Sequence, residues 1–319
     1  RTRDPNKNSL TQFHMDIASS IQSVTEEIVI RLAKFIAKEY DNSNLCMAGG
    51  VALNCVANGK IFREKIFKNI WIQPASGDAG GALGAALAFW HKELKKERTI
   101  NIKDSMRGSY LGPSFNDSEI EKKFNMLGAT YEKHSEEKII EITAKELSKE
   151  KTIGWFQGKM EFGPRALGNR SILADPRKFE TIAKINHKIK KRDFWMPFTP
   201  SVLFEDRNKF YKNQKNLNAK FMSMAFETTE FGRKNLKAAI HPADFTIRPQ
   251  TVKREDNKSY YDLIKSFKNI TKVGALLNTS LNLHGMPIAL SHVDALYILF
   301  NSDLDAMVFD KIIVMKKKL

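Results

Sequence analysis

The sequence is poor in cysteine and has no long apolar run. Cys46 and Cys55 are the two cysteines among 319 residues, and they do not form a Cys-x-x-Cys pair. This excludes a disulfide framework and a thiolate zinc site, and it favours a reducing cytoplasm. No stretch approaches the roughly 20 uninterrupted apolar residues of a membrane-spanning helix, and the polar segment 1–8 is unlike a signal peptide. We therefore expect a cytoplasmic protein without a membrane span.

Disorder is excluded as well, because apolar side chains are abundant. Hydrophobic residues make up 42% of the chain, including 21 Phe and 4 Trp residues, and disordered segments lack such material. A length of 319 residues accommodates two domains of roughly 100 to 150 residues each. Because the first residue is Arg1 rather than Met, we expect a processed or truncated chain.

Positive charge is in excess. The chain has 52 Lys and Arg residues against 36 Asp and Glu, a formal net charge of +16. Clustered cations can neutralise nucleic-acid phosphates, but the lysines are spread along the chain and the densest groups lie at 188–192 and 316–318. We therefore favour a solvated surface over a nucleic-acid partner, and small anionic substrates account for part of the excess.

The first third of the chain predicts a helix and two strand–turn–helix units. Apolar residues recur every three or four positions from 15 to 40, which predicts one long amphipathic helix that packs on a core. They are Ile17, Ile21, Val24, Ile28, Leu32 and Ile36. Strands at 45–48 and 70–74 lead through glycine-rich turns, the second at 76–84, into helices at 51–58 and 85–95. Strands that alternate with helices indicate an α/β sheet.

A domain boundary is predicted in the basic stretch 92–107, where apolar periodicity is lost. We expect one domain at 1–107 and a second at 108–319. The second is predicted to contain helices at 135–149, 179–191 and 292–301 and strands at 152–157, 171–174, 221–227, 272–278 and 306–315.

Two glycine-rich turns and one arginine-rich loop could carry chemistry. Gly49-Gly50 stands where a strand turns into a helix, a geometry that suits a nucleotide and that also serves as a plain turn. Asp78, among glycines, could reach a metal or a ribose, although a helix cap is favoured. The loop 158–168 and the residues after it carry Arg165 and Arg170, whose guanidinium groups could hold a carboxylate or phosphate. A Walker P-loop is absent from the sequence.

Three ordered stretches, at 158–177, 190–200 and 276–287, closely resemble the O-carbamoyltransferase family that includes nodulation and antibiotic-tailoring enzymes. Further similarity at 14–22, 49–54 and 77–84 extends the resemblance over nearly the whole chain. The resemblance implies an α/β fold: the C-terminal half of an actin/sugar-kinase-like (Kae1-like) domain, followed by a YrdC-like α/β domain with a twisted mixed sheet. It also implies that the first half of the Kae1-like domain is missing from this chain.

The implied reaction has two steps. The YrdC-like domain converts carbamoyl phosphate and ATP, with Mg²⁺, into a carbamoyl adenylate, and the Kae1-like domain transfers the carbamoyl group to an acceptor hydroxyl near Fe²⁺ or a similar divalent metal. The acceptor is a hydroxylated small molecule or a saccharide. The matched positions imply these roles: Arg165, Lys190, Arg248 and Ser280 as catalytic residues; Gly163, Arg170, Asn278 and Thr279 as substrate-binding residues; Gly49, Gly50 and Asn54 as the adenosine-contacting turn; and Asp78 as a metal ligand.

The chain departs from the family at two places. Met196 stands where the family usually has an arginine, so either Lys191 or Arg192 substitutes or the pocket is weakened. The two metal-binding histidines of the family, spaced His-x-x-x-His, are absent, and one carboxylate does not hold a catalytic iron or zinc. The histidines that do occur near motifs, His14, His91, His284 and His292, are expected to be structural. We therefore expect that this chain alone does not complete carbamoyl transfer.

Two other functions stay open at this point. The chain could be a nucleic-acid-binding or tRNA-modifying module, although an RNA-binding signature with interleaved aromatics is absent. It could also be an accessory chain that kept the fold and lost activity, for which Met196 is the direct support. A homodimer is a further open alternative.

Overall fold

The computed structural model describes residues 10–100, 104–193 and 195–316. The predicted polar segment 1–8 lies outside these residues, as do positions 317–318 of the predicted basic C-terminal group. The described helices are α1 (Gln12–Tyr40), α2 (Cys55–Arg63), α3 (Asp78–Ala88), α4 (Asp117–Leu127), α5 (Glu136–Ser148), α6 (Glu180–Ala183), α7 (Arg207–Phe210), α8 (Glu230–Asn235), α9 (Lys258–Thr271) and α10 (His292–Phe300). A π-helical segment, Lys184–Lys190, continues α6.

The described strands are β1 (Asn44–Met47), β2 (Asn69–Ile72), β3 (Glu132–Lys133), β4 (Ile153–Phe156), β5 (Arg170–Ala174), β6 (Thr199–Leu203), β7 (Phe226–Glu227), β8 (Thr246–Ile247), β9 (Gln250–Val252), β10 (Ala275–Ser280), β11 (Ala306–Phe309) and β12 (Ile312–Met315). Strands β1 and β2 form a small parallel sheet. Eight of the described strands form a large sheet in the order β3-β12-β11-β4-β5-β10-β6-β9. The pairs β4–β11 and β6–β9 are parallel and the others antiparallel, so the sheet is mixed.

Helices cover both faces of the large sheet. Successive strand residues point to opposite faces, and Leu276 accordingly packs with α5 and α9, whereas Leu277 packs with α4, α10 and the π-helical segment. The strands are buried on both sides, which explains why they read as continuous apolar runs rather than alternating ones. The predicted α/β class with a mixed sheet is confirmed.

Most predicted elements are confirmed, and three are wrong in detail. The predicted strand 306–315 is a hairpin, because Asp310 has a left-handed backbone (φ 42°) that reverses the chain between β11 and β12. The predicted strand 221–227 is reduced to β7. The predicted turn 76–84 is helical from Asp78 onward, since its glycines and alanines continue directly into α3.

Helix α1 forms as predicted, but its apolar stripe does not pack on a core. The six predicted stripe residues are all exposed, from 39% for Ile36 to 63% for Ile21. The opposite side carries the contacts: Ala33 is 4% exposed and packs near Ile61 and Phe67. The periodicity identified the helix correctly but the buried face wrongly, because a second apolar surface that would cover the stripe is absent from the described residues.

Acidic substitutions on the exposed stripe of α1 are expected to leave stability unchanged. Ile28 and Leu32 are 52% and 55% exposed, so Ile28→Glu/Leu32→Glu should change the free energy of unfolding by less than about 0.5 kcal/mol per site. Ala33→Glu would bury an unpaired carboxylate and should cost more than about 3 kcal/mol. Urea unfolding of the three proteins measures both effects. Comparable destabilisation by the stripe variant and Ala33→Glu would contradict the exposed position of the stripe.

The segments before and after residue 107 share one hydrophobic cluster. Phe62 of α2 packs edge-on against Phe226 of β7, with ring centroids 5.3 Å apart. The buried Asn58 side chain donates to the Ser223 carbonyl (2.8 Å), and the Ala225 amide donates to the Cys55 carbonyl (2.9 Å). Domain limits at 1–107 and 108–319 stay a prediction, and these contacts cross that boundary.

Across the three described ranges, no helix combines the length and the apolar character that a membrane crossing requires.

Candidate functional site

A cavity of about 790 Å³ lies between α1, the start of α2 and one end of strands β6 and β10 of the large sheet. Its size falls within the range of small-molecule sites. The sheet side is formed by the loop after β4, by residues around 192–199 and 241–248, and by the end of β10. The cavity therefore joins the N-terminal part of the chain to the C-terminal part.

Arg165 and Arg248 lie side by side in this cavity. Burial, and repulsion from Arg248, lower the pKa of Arg165 to about 10, and burial lowers the pKa of Arg248. Within the described residues, neither guanidinium forms a hydrogen bond or an ion pair, and the Arg165 Nε is buried without a partner. Two adjacent half-buried cations without a counterion form a strong anion-binding arrangement.

The acidic side chains at the cavity wall are occupied elsewhere. Glu26 accepts from Gln22 (2.7 Å) and forms an ion pair with Lys60. Asp244 accepts from the amide and hydroxyl of Thr246 (2.9 and 2.8 Å). Neither carboxylate pairs with the cavity arginines, so the positive charge of these arginines is available to a ligand.

Arg192 and Met196 both line the cavity, whereas Lys191 is exposed. The Arg192 Nε donates to Asn186 Oδ1 (2.8 Å), and its guanidinium lies 4.8 Å from the centre of the Phe198 ring. Burial lowers the pKa of Arg192. Of the two substitutes considered for the arginine replaced by Met196, Arg192 is the one with access to the cavity.

The end of β10 supplies Asn278, Thr279 and Ser280 to the cavity wall. Lys190 lies behind them: its Nζ donates to the Ser280 carbonyl (2.6 Å), to Ser280 Oγ (3.0 Å) and to Asn282 Oδ1 (2.6 Å). The Lys190 side chain is 3% exposed, and burial, followed by repulsion from Arg192, lowers its pKa to about 7. Lys190 thus supports Ser280 from inside the protein and does not line the cavity.

Gly163, in the loop after β4, and Arg170, the first residue of β5, do not line the cavity. Gly163 has φ 138°, and a Cβ there would stand 3.0 Å from the Pro74 carbonyl oxygen, so glycine permits the loop to pass the N-terminal part closely. Arg170 is fully buried, donates to four backbone carbonyls and stacks on the Phe156 ring. Their substrate-binding roles stay predictions, and their surroundings favour support of the loop.

The turn at Gly49 and Gly50 lies outside the cavity wall. Gly49 has φ 99°, its amide donates to the Ser76 carbonyl (2.8 Å), and both glycines are exposed. Asn54 caps α2 through the Ala57 amide (3.1 Å) and forms a reciprocal pair of hydrogen bonds with Gln22 (2.9 and 3.2 Å). The Asn54 side chain is therefore engaged in local structure, and the nucleotide role of this turn stays a prediction.

Asp78 is exposed and begins α3, with Gly77 as the N-cap, so it is not the helix cap favoured by the sequence. The described residues contain no group of three His, Cys, Asp or Glu side chains that could hold a metal ion. One exposed carboxylate does not fit a catalytic metal. The described residues therefore do not form a catalytic iron or zinc site by themselves.

Sequence reasoning missed Asn282 and Cys55. Asn282 accepts from Lys190 and from Ser280 Oγ (2.7 Å). The polar residues Asn278, Ser280 and Asn282 occupy every second position, and this alternation could have indicated that Asn282 shares the surroundings of Ser280. Cys55 lines the cavity near Arg165 and Arg248. It approaches them only through the tertiary contact of α2 with the C-terminal part, which no local pattern indicates.

Two family models match the chain. The model described as Carbamoyltransferase C-terminus matches residues 144–316, and the one described as Carbamoyltransferase N-terminus matches residues 2–87. The uncharacterized protein sll1178 of Synechocystis sp. is 44% identical over 96% of this chain and 53% of its own length. Nodulation protein NolO of Bradyrhizobium diazoefficiens is 38% identical over 96% of this chain and 56% of its own length.

The chain thus spans about half the length of these curated relatives. Among solved structures, full-length HypF in its phosphate- and nucleotide-bound form aligns with a TM-score of 0.40 at 16% identity, over 56% of this chain and 26% of that one. The C-terminal family model alone covers more than half of the sequence, including all three cavity arginines. The chain belongs to the carbamoyltransferase family.

Proposed function

We propose that the cavity binds carbamoyl phosphate and MgATP and that this part of the enzyme forms a carbamoyl adenylate. The observation that carries the proposal is the pair Arg165–Arg248, which lie together in one cavity and have no carboxylate partner among the residues that the structure describes. Like charges brought together in this way favour a polyanionic ligand, and both substrates are polyanions. Arg192 adds a third guanidinium to the same wall.

The proposed first step consists of two bond-breaking events. Water cleaves carbamoyl phosphate to carbamate and phosphate; a carbamate oxygen then attacks the α-phosphorus of ATP, and the bond to pyrophosphate breaks. Charge accumulates on phosphate oxygens in both events, and positioned guanidinium groups stabilise it without reorganisation. The hydroxyl groups of Thr279 and Ser280, at the end of β10, can donate to phosphate or carbamoyl oxygens.

The second step would transfer the carbamoyl group to a hydroxylated small molecule or a saccharide. The acceptor oxygen forms a bond to the carbamoyl carbon, AMP leaves, and a base takes the hydroxyl proton. We propose that this step requires polypeptide beyond the present chain, equivalent to the first half of the Kae1-like domain. The length of the relatives and the exposed apolar stripe of α1 support this. Fe²⁺ or a similar ion would then be bound with ligands from that half.

The purified chain is expected to release pyrophosphate and phosphate when ATP, Mg²⁺ and carbamoyl phosphate are supplied together. Omission of either substrate should abolish pyrophosphate release, because the nucleophile comes from one and the leaving group from the other. Acetyl phosphate in place of carbamoyl phosphate is the matched control. If a folded chain binds both substrates without releasing pyrophosphate, the accessory-chain function replaces the proposal. If it binds neither, the substrate assignment itself is wrong.

A further inference from the structure

A buried carboxylate organises the loop that carries Arg165. Glu161 is 5% exposed, and its Oε1 accepts from three backbone amides of its own loop: Leu167 (2.6 Å), Asn169 (2.8 Å) and Arg170 (3.2 Å). Backbone amides that converge on one point form an anion-binding nest. Here a side chain of the same loop fills the nest, so these amides are not available to a substrate phosphate.

The same loop is also held from its other side. The Ala166 carbonyl accepts from Asn278 (3.2 Å), and the Leu167 carbonyl accepts from Gln250 (2.7 Å) and Tyr110 (2.8 Å). In the residues that directly follow Arg165, hydrogen bonds therefore hold the backbone amides on one side and the backbone carbonyls on the other. The Arg165 side chain itself has no hydrogen bond or ion pair within the described residues, so no polar contact of its own fixes its direction and the course of the loop backbone becomes important.

We infer that Glu161 is a positioning residue, which directs Arg165 into the cavity without touching the substrate. The inference rests on the proposed function, because it concerns the arginine that receives the phosphates. Glu161 is buried and does not line the cavity, so the inferred role does not involve contact with a ligand. Its role is the shape of the loop rather than proton transfer or charge.

The chemistry of the carboxylate separates shape from charge. Oε1 makes all three bonds, and the buried Oε2 has no partner among the described residues. A glutamine offers the same accepting oxygen without the charge. Glu161→Gln should therefore preserve the loop, whereas Glu161→Ala should release it.

Affinity measured in two backgrounds tests the inference. Glu161→Ala is expected to weaken binding of carbamoyl phosphate and of MgATP about tenfold in the parent, since one charge-assisted contact is misplaced. In the Arg165→Ala background the same change should have less than a twofold effect, because a residue that acts through Arg165 has nothing left to direct. Glu161→Gln should bind within about threefold of the parent. Isothermal titration calorimetry gives all of these affinities.

Equal weakening in both backgrounds would show that Glu161 supports the fold in general, and equal loss in Glu161→Gln would assign the effect to charge; either result overturns the inference. If the parent binds neither substrate, the proposed function fails. The inference about Glu161 can then still be tested by a measurement that needs no ligand. Phenylglyoxal modifies accessible arginines, and its rate at Arg165 should rise about tenfold in Glu161→Ala but not in Glu161→Gln. The exposed Arg254 is the internal standard. An unchanged rate at Arg165 would overturn the inference.

Discussion

Replacement of Arg165 by methionine is expected to abolish pyrophosphate release without weakening the fold. Loss of a guanidinium aimed at developing phosphate charge should lower kcat about 100- to 1,000-fold. Stability should stay unchanged or rise, because the variant removes a half-buried cation that repels Arg248 and whose Nε has no partner among the described residues. Coupled pyrophosphate assays measure the loss of activity, and urea unfolding measures the free energy of unfolding.

Arg254→Met is the matched control for this variant. Arg254 is 59% exposed and pairs with Asp262 on the surface, so its loss should leave both turnover and stability nearly unchanged. Turnover of Arg165→Met within about threefold of the parent would contradict a role in the first step. A loss of stability above about 2 kcal/mol would instead assign Arg165 to the fold.

Replacement of Lys190 by methionine is expected to reduce both activity and stability. The substitution removes the three hydrogen bonds that the buried Lys190 Nζ donates to the Ser280 carbonyl, Ser280 Oγ and Asn282 Oδ1, and the loss of this shared donor should cost about 1–3 kcal/mol. Ser280 then loses its fixed position at the cavity wall, so pyrophosphate release should fall by more than about tenfold. Lys188→Met, at an exposed position in the same π-helical segment, is the control and should change neither quantity.

The contribution of Lys190 to the free energy of unfolding should depend on pH between about 7 and 10.5. Its pKa is about 7 in the folded protein, lowered from 10.5 by burial and then by Arg192. Between these values the unfolded chain binds the additional proton, so the stability of the parent relative to Lys190→Met should rise with pH, by at most about 1.4 kcal/mol per unit. Below about pH 7 the difference should be flat. A difference that falls between pH 7 and 10 would contradict this assignment.

Local patterns predicted the elements around the site better than they predicted its contents. The glycines between β4 and β5 predicted the loop there, and the resemblance predicted that Arg165, Arg248 and Ser280 share one pocket. The structure brings all three to one cavity, although 83 positions separate Arg165 from Arg248 and 32 separate Arg248 from Ser280. Their contacts with substrates stay predictions. The sequence does not indicate that the Glu161 side chain fills the amide nest, because a glutamate in a glycine-rich loop can equally well be exposed to solvent.

Two failures have a common physical origin. Arg170 and Arg165 look equivalent in the sequence, but Arg170 is buried by carbonyls that include Pro113, which is 57 positions away. The stripe of α1 looks like any core-facing stripe, but its partner surface is absent from the described residues. In both cases the outcome depends on contacts with distant parts of the sequence, present for Arg170 and absent among the described residues for the stripe, and periodicity and propensity carry no information about such contacts.

The hydrophobic cluster shared by α2 and β7 also bears on how the chain is made. Asn58 and Ser223 are 165 positions apart, and Phe62 cannot be covered until Phe226 has been synthesised. A nascent chain emerges at roughly 5–20 residues per second, and domains usually fold as units in that order. Here the first α/β units would leave the ribosome with a core that stays incomplete until Phe226 has been synthesised. Their maturation is therefore tied to synthesis of the C-terminal part.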